Sequence, residues 1–144
     1  MEARKLAKSL GLPLMGGSPV LKDADDAVAH AERIGYPVMM KASGGGGGRG
    51  MNVLRTESDV RRLFPQAQTE AIAAFSNGDL YLERFVEEPR HIEFQVLADG
   101  RGTVMVLGER ECSIQRRHQK VIEEAPSVAV SNEMRQDMAR TISR

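Results

Sequence analysis

The sequence predicts an α+β fold in which helices alternate with short strands that pair antiparallel. Three observations carry this. Apolar residues recur at helical spacing in three stretches, from Ala24, from Thr56 and after Ser131. "YPVMMK" and "MNVLR" are short apolar runs joined only by a glycine-rich loop. "HIEFQVLAD" alternates along its length and is linked by "GRG" to a second run, "TVMVLGER". Short runs joined by tight loops form hairpins, which makes both pairings antiparallel.

Taken in order, Glu2–Leu10 places Leu6 and Leu10 at helical spacing, and Gly11 and Pro13 stop it. "LMGGSPV" is turn material. Asp23 then suits an N-cap, with Asp26 three residues on as a near capping box. Ala24, Ala27, Val28, Ala31 and Ile34 form the apolar face of a helix that ends at Gly35. Thr56–Phe75 is helical, with Leu63, Ala67, Ala71, Ala74 and Phe75 as its buried stripe; Pro65 is expected to kink or split it. "LYLERFV" is a strand closed by Pro89, and "VIEEAP" is a further short strand. Ser131 caps a last helix with Met134, Met138 and Ile142 on one face. That helix runs to Arg144 without a stop signal, so residue 144 reads as a cut in a longer chain.

Composition removes several function classes. The 144 residues carry 20 basic and 20 acidic side chains, a balance unlike that of a general nucleic-acid binder. Trp is absent and aromatics are few, which disfavours base-stacking platforms. One cysteine, Cys112, leaves no internal disulfide and reads as a small buried residue. No stretch has the length of a membrane span or the apolar core of a signal peptide. The expectation is a cytoplasmic protein with neither nucleic-acid nor membrane partners.

Two stretches could carry chemistry. In "KASGGGGGRG" five glycines stand between Lys41 and Arg49. Such a tract is either a flexible linker or a loop whose bare N–H groups converge on an anion. Strand flanks and the lysine at one strand's end favour the phosphate-binding loop. Neither a Walker nor a dinucleotide pattern is present. The second stretch, "ERECSIQRRHQKVIEEAP", gathers Arg110, Gln115, Arg116, Arg117, His118 and Lys120 between strands. A solvated basic turn, a nucleic-acid patch and a small-anion site all fit it. The flanking Glu109, Glu111, Glu123 and Glu124 weigh against nucleic acid. His91 opens a strand, and a lone histidine there is more often structural than functional.

Taken together and in this order, "YPVMMKASGGGGGRGMNV", "YLERFVEEPRHIEFQVLAD" and "GERECSIQRRHQKVIEEAP" resemble the biotin carboxylase family of ATP-grasp enzymes. The resemblance covers nearly the whole chain, and "CSIQRRHQKVIEEAP" is its most specific part. It implies a ligase in which ATP phosphorylates bicarbonate and the carboxyl group passes to biotin on a carrier protein or domain. The parent would be a biotin carboxylase subunit or domain, as of the acetyl-CoA carboxylase of fatty acid biosynthesis. The implied fold is an ATP-grasp lid subdomain plus the first antiparallel strands of the C-terminal ATP-grasp subdomain.

By motif, Lys41 resembles the phosphate-contacting lysine, and Gly47 and Gly48 belong to the lid. Glu83, Arg84, Phe85 and Val86 resemble the hinge that receives adenine, partly through backbone groups; Arg84 stands where the family usually has lysine. His91, Gln115 and His118 resemble nucleotide-site residues, and Lys120 resembles the catalytic lysine that holds bicarbonate. The resemblance puts the magnesium-holding glutamates beyond Arg144, so no metal ligand is expected here. It also divides the chain into the tail of a preceding domain (1–12), the lid (13–85) and the start of the C-terminal subdomain (86–144). The alternatives are the equivalent piece of pyruvate carboxylase or another acyl-CoA carboxylase, or a non-catalytic module that binds nucleotide or a partner.

Overall fold

The computed structural model describes residues 2–45 and 50–143, which fall into two compact units dividing at Glu87/Glu88. The element order is α1 (Glu2–Ser9), α2 (Ala24–Ile34), β1 (Val38–Ala42), β2 (Met51–Leu54), α3 (Glu57–Phe75), β3 (Leu80–Arg84), β4 (Ile92–Ala98), β5 (Val104–Arg116), β6 (Gln119–Glu124) and α4 (Asn132–Ile142).

In the first unit β1 lies between β2 and β3, antiparallel to both. Val38, Met40 and Ala42 point alternately to one face of β1. There they meet Leu54, Leu80 and Leu82 and the small or apolar residues Ala27, Ala31, Val60, Phe64, Ala67 and Ala71 of α2 and α3. Alanines at the contact let both helices approach the sheet closely. Lys41 and Glu83 belong to the opposite face. Because Met39 pairs with Glu83 and Lys41 with Tyr81, Lys41 and Glu83 are diagonal neighbours across the two strands.

The helix starts follow the sequence signals. Asp23 accepts the Asp26 N–H at 2.8 Å, although the Asp26 carboxylate reaches back to the Lys22 N–H rather than to the cap itself. Thr56 and Asp59 form a reciprocal capping box. Of the two expected effects of Pro65, the split does not occur: α3 runs through it for 19 residues. Pro65 and Arg61, whose carbonyl loses its bond to residue 65, both lie on the exposed side of the helix. Water can take the freed carbonyl there, so the break is not forced.

In the second unit β4, β5 and β6 form a separate antiparallel sheet, so the expected pairing of Ile92–Asp99 with Thr103–Glu109 lies outside the β1–β3 sheet. The β4–β5 turn is held by Asp99, whose carboxylate accepts the N–H groups of Arg101 and Thr103 at 2.7 and 3.0 Å. A register shift opposite Gln95 puts an extra residue in β5 near Gly108 (φ +105°), a conformation that glycine adopts without a Cβ penalty. α4 is anchored at Glu109, which is 4 % exposed and accepts Arg135 Nε at 2.8 and 2.7 Å and Nη2 at 2.6 Å.

β5 also corrects the sequence reading. The basic stretch was expected between strands, yet the ladder continues to Arg116 and β6 begins at Gln119. Only Arg117 and His118 form the turn, both left-handed at φ +52° and +62°. That is the geometry of a two-residue hairpin whose twist matches its strands.

Candidate functional site

Each unit carries its own cluster of the expected residues. In the first, the Lys41 ammonium donates to Glu83 Oε2, and the guanidinium of Arg4 in α1 donates to Glu83 Oε1. Arg84, Phe85 and Val86 follow on the same segment. The N–H of Arg84 bonds to the Gly16 carbonyl at 2.8 Å and that of Phe85 to the Pro37 carbonyl at 3.2 Å. Among the described residues nothing accepts from the Val86 N–H, and Val86 is 44 % exposed. Any backbone donation from this stretch to an outside ligand therefore falls to Val86. The Arg84 side chain is exposed and makes no ion pair among the described residues. Gly47 and Gly48 lie outside the described residues.

The second cluster is built on the β4–β5–β6 sheet. His91, Glu93 and Gln95 alternate with Ile92, Phe94 and Val96, which places the polar trio on one face. The Gln115 amide donates to His91 Nδ1 at 2.6 Å and to the Cys112 carbonyl at 2.9 Å. An accepting Nδ1 leaves the ring proton on Nε2, which faces Glu93 at 3.7 Å. Glu93 is the hub. Its carboxylate takes the Lys120 ammonium on one oxygen and Arg110 on the other. Arg110 also reaches Glu123 at 3.0 Å.

The electrostatics follow from this pairing. The Lys120 hydrogen bond, with Arg110 and His91 nearby, holds the Glu93 carboxyl below the usual range. Glu93 in turn pushes Lys120 up, so its ammonium stays charged. Cys112, fully buried as expected of a small core residue, has its thiol pushed up by burial. Glu93, Cys112 and Glu123 bring potential metal-binding atoms within 4.8 Å of one another. They do not suit magnesium, a hard ion that wants oxygen ligands: one ligand is a protonated thiol, and both carboxylates already hold cations.

His91, Gln115 and Lys120 are thus brought into one network. His118 is not: it stands at the exposed hairpin tip and makes no hydrogen bond among the described residues. Sequence reasoning missed Glu93, Arg4 and the Glu109–Arg135 anchor. Glu93 alone left a trace, because it sits two residues from His91 and so shares its face. Among the described residues no helix is long and apolar enough to cross a membrane.

A half-buried lysine beside a glycine tract and a second lysine in a polar strand network suit a protein that handles phosphate and a small oxyanion. The chain belongs to the ATP-grasp family described as the carbamoyl-phosphate synthase L chain, ATP-binding domain, whose model matches residues 1–144. Its relatives within that family include biotin carboxylases and other carboxylases or their subunits. The chloroplastic biotin carboxylase of Arabidopsis thaliana is 53 % identical over 137 residues, 94 % of this chain and 26 % of that protein. The biotin carboxylase domain of Hydrogenobacter thermophilus 2-oxoglutarate carboxylase, solved with MgADP, ADP and bicarbonate, superposes with a TM-score of 0.93. It is 47 % identical and the match covers 98 % of this chain and 31 % of that one. Campylobacter jejuni biotin carboxylase in its β,γ-ATP complex gives a TM-score of 0.94 at 43 % identity, covering 99 % and 32 %. The chain therefore spans a quarter to a third of these relatives' length.

Proposed function

We propose that this chain is the central part of an ATP-dependent biotin carboxylase. In the complete enzyme the γ-phosphoryl group of ATP passes to an oxygen of bicarbonate, and ADP leaves. The carboxyl group of the resulting carboxyphosphate is then transferred to a ureido nitrogen of biotin borne on a carrier protein or domain, and phosphate leaves. The observation that carries this reading is the Lys120–Glu93–His91–Gln115 network, which fixes a charged lysine on a rigid sheet face.

Lys120 supplies positive charge to the bicarbonate oxygens and to the oxyanion that develops as phosphoryl transfer proceeds. Its pKa, pushed up by Glu93, keeps that charge in place at neutral pH. His91, Gln115 and His118 contribute to the nucleotide site, His118 from the hairpin tip. Lys41 meets ATP phosphates beside the lid glycines Gly47 and Gly48. Glu83, Arg84, Phe85 and Val86 form the hinge for adenine, with the unengaged Val86 N–H as its backbone donor. Magnesium, which carboxylates outside this chain would hold, would neutralise charge on the transferring phosphates. In domain terms, residues 1–12 close a preceding domain, 13–85 form the lid and 86–144 begin the C-terminal subdomain. The setting is cytoplasmic.

The likeness to a 2-oxoglutarate carboxylase domain is as strong as that to the Campylobacter jejuni biotin carboxylase, which keeps another biotin-dependent carboxylase as the second reading of the parent. The test is made in the full-length protein. Lys120→Ala should lower bicarbonate-dependent ATP hydrolysis on the order of 100-fold or more, as loss of a transition-state charge contact does. MgADP binding by calorimetry should change little. Hydrolysis that ignores bicarbonate, or survives Lys120→Ala, would overturn the assignment.

A further inference from the structure

We infer that Arg4 is a positioning residue for the phosphate lysine: as counter-ion of Glu83, it leaves the charge of Lys41 for an anion. This rests on the reading of Lys41 as an ATP contact. A lysine bonded only to a glutamate forms a neutral pair, and a neutral pair attracts phosphate poorly. Here Glu83 is shared, with Oε1 on Arg4 and Oε2 on Lys41. Two cations against one carboxylate leave the trio one positive charge in excess. The side chains of Arg4, Lys41 and Glu83 are 26 %, 29 % and 12 % exposed, so water screens these contacts less than it does a surface pair.

The backbone is shaped to admit Arg4. Residues 16–18 run alongside β3: Gly16 accepts the Arg84 N–H, Ser18 donates its N–H to the Leu82 carbonyl, and Gly17 bridges to Glu83. The guanidinium passes over Gly17, where a Cβ would stand 2.8 Å from Arg4 Nη2 and 2.8 Å from the Leu82 carbonyl oxygen. Glycine here allows the arginine and the strand to close on each other. Arg4 Nη2 also donates to the Met15 carbonyl at 2.9 Å, which fixes the fork in the orientation that meets Glu83.

A purely structural strut and a counter-ion differ in one respect: only the counter-ion's effect depends on the Glu83 charge. The experiment is a double-mutant cycle in the full-length enzyme, with the KM for ATP and kcat measured separately. Arg4→Ala should raise the KM for ATP about fivefold with kcat within about twofold, a size typical of one partly covered charge contact. Arg4→Lys, which keeps the charge, should restore most of it. In a Glu83→Gln background Arg4→Ala should have no further effect. Inhibition by tripolyphosphate, an anion with no adenine, should follow the same pattern, and thermal melts guard against a folding defect. An unchanged KM in Arg4→Ala, or an equal loss with Glu83→Gln in place, would overturn the inference alone. A wild-type enzyme without bicarbonate-dependent ATP hydrolysis would remove the biotin carboxylase reading, and the inference with it.

Discussion

Glu109 is a buried carboxylate that survives as an anion because Arg135 supplies two donors and the Ser127 N–H a third. Arg135 before all else holds its pKa at about 2, against an ordinary value of 4.5. A carboxylate with a depressed folded-state pKa stabilises the fold fully above its unfolded value, and that contribution fades as pH falls through the folded one. The second unit should therefore lose roughly 2–3 kcal/mol between about pH 4.5 and pH 2 from this group, read by urea titrations across that range. Arg135→Ala at neutral pH should lower the thermal midpoint of the second unit, because it strands a buried carboxylate. Glu109→Gln should flatten the acid limb instead. Glu93 poses a different case, since its two cations lie partly in water. In the full-length enzyme Glu93→Gln should leave the thermal midpoint nearly unchanged, yet lower bicarbonate-dependent turnover about tenfold by loosening Lys120. A variant that turns over normally would show that Lys120 needs no such guide.

The β5–β6 hairpin shows the same division between stability and site at the level of an element. Two consecutive non-glycine residues in the left-handed region are strained, and such strain collects where a side chain must be aimed. Arg117→Gly should stabilise the second unit by about 1 kcal/mol, measured as a raised thermal midpoint. His118→Gly should stabilise similarly but weaken MgADP binding in the full-length enzyme; equal affinity would remove His118 from the nucleotide site. This turn also marks the limit of what the sequence disclosed. Helix α2, the β1–β2 hairpin and β4 were legible because periodicity and turn residues agree in each. β5 was legible only at its first half: its second half carries charges on the face of the Glu93 network, and its turn lacks the glycine or asparagine that announces a reversal. Lys41, His91, Gln115 and Lys120 could be picked out by motif, whereas Arg4 lies 79 positions from Glu83 and no local pattern joins them. Pro65 does not split α3, because propensity speaks for an isolated helix, while α3 is held by the burial of Val60, Phe64, Ala67 and Ala71.

At the scale of the whole chain, the residues proposed to grip nucleotide and oxyanion are here, and the question is whether they suffice for turnover. Phosphoryl transfer needs a divalent ion bridging the phosphates, and magnesium is usually held by one or two carboxylates besides. On the biotin carboxylase reading proposed above, those carboxylates would come from outside these residues. Among the described residues the one cluster of potential ligands is Glu93, Cys112 and Glu123, and it is already neutralised by Arg110 and Lys120. A magnesium ion would have to expel two cations from Glu93 and accept a protonated thiol. Glu123 and Glu124, adjacent on β6, point to opposite faces and form no clamp of their own. The isolated 144-residue chain should therefore bind ATP weakly at best and release no phosphate from it. With ATP, magnesium, bicarbonate and free biotin, its phosphate release should equal that of its Lys120→Ala variant. Bicarbonate-dependent release well above that control would mean that a working metal site lies within these residues, and the Glu93 cluster would be the first place to look for it.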